Sequence, residues 1–454
     1  VSLVQQGNGT WTITDQESKE TYTFDSAGLL VSELHGTETT PSPVTFSTEN
    51  QGIVQQLVTT SAGLSPANSV EIGNGGFTRA SSITQVPGDG SANRVTTLAY
   101  NSSDQLSGVT DAAGETTSYS YDSNGNLSEI TTQAGRHLWF FYDSNHRVIQ
   151  VDAYSGTGGT YSITTYSYSG APGQLGNTVD TDPDGNTTTY SYNQSPLPLL
   201  VSGTKDAAGF TTSTSLTADS QASSFTNQAG AVSTDTYNAN MGPHGFVSLG
   251  ATQDPSGATA GAAYSSTSCA SGVTAKYLPS TITNNVGQLS SLCYDTAGDL
   301  TSATDPAGDT ATVAYNLNGT PATSTTPLQA AAGTYTGYSW DPANQLTLAR
   351  PSNLVGPQTA TVYDNFGYVS STANLVSLRA TSVARDAMGR VTASTSTGSG
   401  GNVSITYHYD ADGYLTSEVD PGGTTTFTYN GIGNQVAETA PGGVNDTYSY
   451  DLAS

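Results

Sequence analysis

The chain has 454 residues, and 37 acidic against 11 basic residues give it a net charge of −26 at pH 7. So few cations exclude a nucleic-acid groove, and no apolar run approaches the roughly 18 residues that a membrane-spanning helix needs. The 50 glycines and 26 tyrosines, with abundant serine and threonine, favour an all-β protein. The acidic balance and scarcity of lysine are typical of a secreted or cell-surface protein.

Residues 1–50 are predicted to be N-terminal hairpins that enter a repeat array. Residues 10–14 alternate threonine with apolar residues, which is the period of a strand. Phe24 and Asp25, followed by Gly28, then give the first turn of the repeating type. Residues 51–99 lose this pattern, so they are predicted to be an insertion or a set of eroded repeats.

The block 100–240 carries the clearest repeating unit, Tyr-Asp-x-x-Gly-x-Leu, at Tyr121, Asp122, Gly125 and Leu127. The aspartate can accept hydrogen bonds from backbone amides two residues on, and the glycine can adopt the positive φ that closes a short turn. The anchors before and after this unit stand at equal intervals from it, at Tyr100 and Tyr142. Equal spacing with matched turn chemistry predicts a tandem array of β-hairpins.

Residues 241–290 hold few such anchors, and they are predicted to form an irregular seam or a long loop. Residues 291–454 return to the regular pattern and are expected to belong to a repeat block that continues beyond the chain's end. The clearest units of this second block are Tyr294, Asp295, Gly298 and Leu300, and Tyr409, Asp410, Gly413 and Leu415.

A second turn signature, Asp-x-x-Gly, stands roughly ten residues after several of the anchors, as at Asp305 and Gly308. Each period of about 21–24 residues therefore contains two strands and two turns. The predicted fold is one continuous antiparallel β meander, whose turns alternate between two edges.

Other candidate sites are few. Cys269 and Cys293 lie about one period apart, so neighbouring hairpins could join them in a disulfide, with two free buried thiols as the alternative. Asp180, Asp182 and Asp184 resemble the first half of a calcium loop, but serine replaces the usual final glutamate and a repeat turn is favoured. No catalytic motif is present, so no enzymatic activity and no cofactor are predicted.

The anchors resemble the tyrosine–aspartate (YD) repeats of the RHS-repeat family. The resemblance rests on the units at Tyr121 and Tyr409 and on the run from Thr304 to Thr310, Thr-Asp-Pro-Ala-Gly-Asp-Thr. It covers about residues 100–454 with gaps. In that family such hairpins spiral into a curled sheet that forms a shell or solenoid, found in bacterial polymorphic toxins, wall-associated proteins and teneurins.

The resemblance implies a non-catalytic structural scaffold, a shell segment that encloses or presents a C-terminal toxin or effector. Its partners would be that cargo or neighbouring copies of the chain. One alternative is an extracellular fibre, adhesin or wall-associated stalk. Another is a carbohydrate-binding array that recognises a glycan or cell-surface ligand through exposed tyrosines.

Overall fold

A computed structural model describes residues 2–14, 21–34, 44–49, 53–59, 68–74, 79–87, 92–154, 161–170, 176–192, 200–218, 220–238, 248–264, 278–341 and 344–451. Within these ranges the chain forms one 39-stranded sheet and a single short helix. The predicted all-β hairpin array is confirmed.

The first half of the sheet comprises β1 (Ser2–Gln5), β2 (Trp11–Thr14), β3 (Thr21–Phe24), β4 (Leu30–Leu34), β5 (Val44–Glu49), β6 (Ile53–Thr59), β7 (Asn68–Asn74), β8 (Ala80–Val86), β9 (Arg94–Tyr100), β10 (Leu106–Thr110), β11 (Thr116–Tyr121), β12 (Leu127–Thr131), β13 (His137–Tyr142), β14 (Val148–Tyr154), β15 (Tyr161–Tyr168), β16 (Thr178–Thr181), β17 (Thr187–Tyr192), β18 (Val201–Lys205), β19 (Thr211–Leu216) and β20 (Ala222–Thr226).

The second half comprises β21 (Val232–Asn238), β22 (Ser248–Gln253), β23 (Thr259–Tyr264), β24 (Pro279–Thr283), β25 (Leu289–Tyr294), β26 (Leu300–Thr304), β27 (Thr310–Tyr315), β28 (Pro321–Thr325), α1 (Pro327–Ala331), β29 (Thr336–Trp340), β30 (Leu346–Pro351), β31 (Thr359–Tyr363), β32 (Val369–Asn374), β33 (Arg379–Arg385), β34 (Val391–Thr397), β35 (Val403–Tyr409), β36 (Leu415–Asp420), β37 (Gly423–Tyr429), β38 (Gln435–Ala440) and β39 (Val444–Thr447).

Each strand pairs antiparallel with the next strand along the chain, from β1 to β39. The register through β10, β11 and β12 is typical, with Gly108 opposite Ser118 and Ser118 opposite Thr131. The pairing runs without a break through β6–β9 and β22–β24, inside the segments 51–99 and 241–290. The division of the chain into repeat blocks stays a prediction.

The sheet is a single layer, and this limits how deeply any side chain is buried. Strand β11 shows why: its exposure alternates residue by residue, with Tyr119 and Tyr121 half-buried on one face and serine and threonine exposed on the other. Among the described residues, Tyr294 is the one large apolar residue that is buried, at 7% exposure. Packing between neighbouring hairpins therefore takes the place of a two-layer core.

Candidate functional site: the turns at the two edges of the sheet

The turns after odd-numbered strands, such as 122–126 and 410–414, lie along one edge of the sheet, here called the anchor edge. The turns after even-numbered strands, such as 111–115 and 132–136, lie along the opposite edge. On the anchor edge Asp122 accepts hydrogen bonds at Oδ1 from the amides of Asn124 (2.8 Å) and Asn126 (2.9 Å). Gly125 adopts φ 84° and its amide donates to the Asp122 carbonyl.

The same turn recurs on both edges. Asp295 and Asp305 accept two backbone amides each, and Gly298, Gly308 and Gly413 adopt φ between 91° and 92°. This is a three-residue loop closed by a bulge, which suits the right-handed twist of paired strands. Four anchor-edge turns place another residue in the glycine position, at Asp104, His146, Ser220 and Asn344.

The anchor tyrosines tie each hairpin to the one before it. The Tyr142 hydroxyl donates to the carbonyl of Leu127 (2.8 Å), the first residue of β12, where the ladder between β11 and β12 shifts register at a bulge. The same bond, 2.6 to 3.2 Å long, joins Tyr100 to Ala80, Tyr121 to Leu106, Tyr168 to Val148, Tyr237 to Ala222, Tyr264 to Leu249, Tyr294 to Pro279, Tyr315 to Leu300, Tyr363 to Leu346, Tyr409 to Val391, Tyr429 to Leu415 and Tyr450 to Gln435. Tyr264 is an anchor that the sequence pattern missed.

The two edges also contact each other, through residues that are far apart in the sequence. Asp412, on the anchor edge, accepts hydrogen bonds from the Ala134 amide (2.7 Å) and the Thr132 hydroxyl (2.8 Å) of the opposite edge. Arg136 forms ion pairs with Asp412 and with Asp410 (3.1 Å). These residues are 274 to 280 positions apart in the chain, so the sheet has curled through one full winding. We call this cluster the winding seam.

The seam is sheltered from solvent. The side chains of Arg136 and Asp412 are 15% and 9% exposed, and the guanidinium carbon lies 4.5 Å from the centre of the Tyr414 ring. Burial disfavours the charged form of each group, so burial alone would raise the pKa of Asp412 and lower the pKa of Arg136. The hydrogen bonds outweigh burial, so the pKa of Asp412 is lowered and the pKa of Arg136 is raised.

A second contact supports the same winding two repeats earlier. Arg94, the first residue of β9, places its guanidinium carbon 3.7 Å from the centre of the Phe366 ring and 5.3 Å from that of Tyr368. Phe366 and Tyr368 belong to an anchor-edge turn, as Asp410 and Asp412 do. In both contacts, a residue of the opposite edge meets a turn of the anchor edge. The opposite edge of one winding therefore lies against the anchor edge of the next.

Sequence reasoning missed the seam. Local motifs cannot reveal it, because its partners are separated by a whole winding. Arg94 and Arg136 make the described contacts between windings, and nothing in the sequence around them differs from that around the other arginines, Arg79, Arg147, Arg350, Arg379, Arg385 and Arg390.

The candidate calcium residues lie in an ordinary hairpin. Asp180 is in β16, and Asp182 begins a turn in which its Oδ1 accepts the amides of Asp184 and Asn186. Within the described ranges, no group of three or more His, Cys, Asp or Glu side chains is arranged to hold a metal ion. Cys293 in β25 is disulfide-bonded; Cys269 lies outside the described residues, so the pairing of these two stays a prediction.

Two stretches, residues 100–137 and 409–444, match the family model described as RHS Repeat. Within these two stretches the chain contains RHS repeats. Both stretches include members of the winding seam, Arg136 in the first and Asp410 in the second. No curated protein matches the sequence. In the part of the chain that the structure describes, no helix has the length and apolarity that a membrane crossing requires.

Solved structures with a similar course of the chain include a crystal structure of TcdB2-TccC3-TEV, at 15% identity and a TM-score of 0.46, covering 91% of this chain and 22% of that one. The Photorhabdus luminescens Tc holotoxin pore matches at 13% identity and a TM-score of 0.34, covering 92% of this chain and 26% of that one. A porin-like protein of Bacteroides uniformis matches at 12% identity and a TM-score of 0.21, covering 54% of this chain and 90% of that one. The chain thus spans about a quarter of each of the two toxin-complex chains.

The turn glycines of this RHS array differ in what a side chain would meet, which gives a matched test. At Gly433, with φ 96°, an added Cβ would lie 2.7 Å from Cζ of Tyr414, whereas at Gly114, with φ 89°, it would meet nothing within 4 Å. We expect Gly433→Ala to lower the stability of its hairpin by about 3 kcal/mol, because backbone strain and displacement of Tyr414 add, and Gly114→Ala by about 1 kcal/mol. Denaturant unfolding of the two variants checks this, and equal losses would contradict it.

The turns and anchor tyrosines also predict that stability stays constant over a wide range of pH and falls at both ends of it. Hydrogen bonds from the Arg147 amide and side chain lower the pKa of Asp143 to about 2, and those from Asn126 lower the pKa of Asp122. Burial raises the pKa of Tyr294 and Tyr315 above 10. Stability from these aspartates is present above about pH 4 and falls as pH drops toward 2; stability from the tyrosines is lost as pH rises beyond 10. Thermal melts across pH 2–12 should show both limbs, and a flat profile below pH 4 would contradict the acid limb.

Proposed function

We propose that this RHS-repeat scaffold is a non-catalytic wall segment of a hollow shell, which encloses or presents a C-terminal toxin or effector of a secreted or cell-surface bacterial protein. The observation that carries the proposal is the winding seam. A wall built from one curled sheet needs bonds between neighbouring windings as well as between neighbouring strands. The bonds of Asp412 to Ala134, Thr132 and Arg136 join two windings and support this proposal.

An extended fibre or stalk is the main competing function, and the seam weighs against it. In a straight ribbon, turns as far apart in the chain as those of Thr132 and Asp412 could not touch, because each hairpin adds two strand spacings of about 4.8 Å along the sheet. A glycan-binding array would stack sugars on exposed tyrosine rings, whereas eleven of the twelve anchor tyrosines are half-buried or buried. Their hydroxyls donate to carbonyls of the preceding hairpin.

Electron microscopy of the native full-length assembly tests the proposal. A hollow particle with density inside it is the expected result, and the variant Arg136→Ala should give particles with looser or open walls. A long uniform filament, or a hollow particle that never contains density, would contradict the cargo role. The matched control is Arg147→Ala, since Arg147 pairs with Asp143 inside its own turn (2.7 Å).

A further inference from the structure

Strand β13 is apolar on both faces, which is unusual in a sheet of one layer. Leu138 and Phe140 share the face of the anchor Tyr142, while Trp139 and Phe141 lie on the other face. On that second face the equivalent positions of β11 carry only threonine and serine. A strand that is apolar on both sides is typical of a strand covered on both sides.

The second face holds a cluster of aromatic rings around Trp139, here called the aromatic patch. His137 stacks on Trp139 with ring centres 5.1 Å apart and planes within 3° of parallel. Tyr161 of β15 packs against Trp139 (5.7 Å) and against Tyr154 of β14 (5.5 Å). Phe141 and Tyr161 remain 45% and 43% exposed, so the patch presents ring surface to solvent.

Two carboxylates flank the patch. Glu129 of β12 and Asp152 of β14 are the direct cross-strand partners of Trp139, one on each side. Glu129 contacts His137 Nδ1 (2.8 Å), and Asp152 accepts a hydrogen bond from Gln150 Nε2 (2.8 Å). These bonds hold both carboxylates in place beside the rings.

At four other places in this chain, an arginine bridges an aromatic ring and a carboxylate. Arg147 lies 4.5 Å from the Tyr168 ring centre and pairs with Asp143 (2.7 Å). The same arrangement joins Arg390 to Tyr409 and Asp386, Arg136 to Tyr414 and Asp412, and Arg79 to Tyr100 and Asp104. In each case the flat face of the guanidinium stacks on the ring, while its N–H groups donate hydrogen bonds to the carboxylate.

The aromatic patch has the ring and the carboxylates but no arginine of its own. All eight arginines are among the described residues, and none of their described ion pairs or ring contacts involves Trp139, Tyr161 or Asp152. The neighbouring segment 155–160 contains no lysine or arginine. We propose that the aromatic patch binds an arginine side chain of a basic polypeptide segment in a partner protein.

Charge and shape both favour this occupant. The chain's net charge of −26 draws cations toward its surface, and the two carboxylates attract a guanidinium through charge, which a neutral sugar does not carry. Asp152 lies opposite Ile163, which is two residues from Tyr161 on the same face, so a guanidinium that stacks on Tyr161 would have Asp152 close by as an acceptor. The proposal does not depend on the shell role, because it concerns the face of the sheet and not what the sheet encloses.

Calorimetric titration of the chain with a hexa-arginine peptide, at physiological ionic strength, tests the proposal. Asp152→Asn and Glu129→Gln keep the shape of each side chain and remove its charge, so each should weaken binding about fivefold to tenfold. The matched control is Glu115→Gln, an exposed acid in a turn on another strand pair, which should leave binding unchanged. A peptide with citrulline in place of arginine should bind far more weakly.

Three outcomes would overturn the proposal. Absence of binding to the wild-type chain is one. Equal weakening by Glu115→Gln would mean that the peptide follows the overall charge and not the patch. Binding of chitohexaose that is lost in Asp152→Asn, without binding of hexa-arginine, would make the patch a glycan site. Finding a filament by microscopy would defeat the cargo role and leave this test unaffected.

Discussion

Replacing Arg136 with alanine should open the winding seam while leaving the hairpins on either side paired. The change leaves Asp410 and Asp412 without their cation in a site where the Asp412 side chain is 9% exposed. Removal of one partner from a sheltered ion pair costs about 2 kcal/mol at this degree of exposure. The Ala134 amide, which donates to Asp412 (2.7 Å), should then exchange its hydrogen about thirtyfold faster.

Arg147→Ala provides the control for this prediction. Arg147 occupies the same kind of turn position as Arg136, but it pairs with Asp143 within four residues and has a 25% exposed side chain. Its loss should cost less than about 1 kcal/mol and leave the Ala134 amide protected. Unchanged exchange at Ala134 in the Arg136→Ala variant would show that the windings do not hold each other through this cluster.

Replacing Tyr294 with alanine should cause the largest loss of stability of any anchor substitution. Tyr294 is the most buried large side chain that the structure describes, at 7% exposure, and its hydroxyl donates to the Pro279 carbonyl (3.0 Å). Loss of the ring and the bond together should cost about 3–4 kcal/mol, and Tyr294→Phe about 1 kcal/mol, because only the hydrogen bond is removed. Hydrogen exchange of β25 and its neighbours measures both.

The comparison variant for Tyr294 is Tyr450→Ala. Tyr450 makes the same kind of bond, to the Gln435 carbonyl (2.7 Å), but its side chain is 44% exposed. It should therefore lose roughly half as much stability or less. Equal losses at the two positions would mean that ring burial contributes little and that the hydroxyl bond alone joins the hairpins.

The sequence was enough to predict the strands, the turns and the residues that shape them, because the residues that form each turn lie next to one another in the chain. Asp122 and Gly125 act within a single turn, and the later repeats make the same contacts again. His146 and Asp104 in the glycine position show the limit of that pattern, since the turn accepts other residues at positive φ.

The winding seam could not be predicted in the same way. Its position depends on how much each hairpin bends the sheet, and small bends accumulate along the whole chain between Arg136 and Asp410 before the edges meet. The aromatic patch was missed for another reason. The run His-Leu-Trp-Phe-Phe-Tyr at 137–142 is apolar throughout, so alternation alone does not show that one of its two faces lacks a partner.

The strictly sequential pairing of β1 to β39 has a consequence for how the protein folds. Each strand needs only its neighbour, a short way along the chain, so hairpins can form one after another as the chain leaves the ribosome. No strand has to wait for a distant partner, and the entropy cost of closing each loop stays small. Arg136 and Asp412, in contrast, are far apart in the chain, so their contact forms only after a full winding has been completed. Folding should therefore extend the sheet hairpin by hairpin, and the contacts between windings should form late. Asp410 and Asp412 then bind an edge that has already formed.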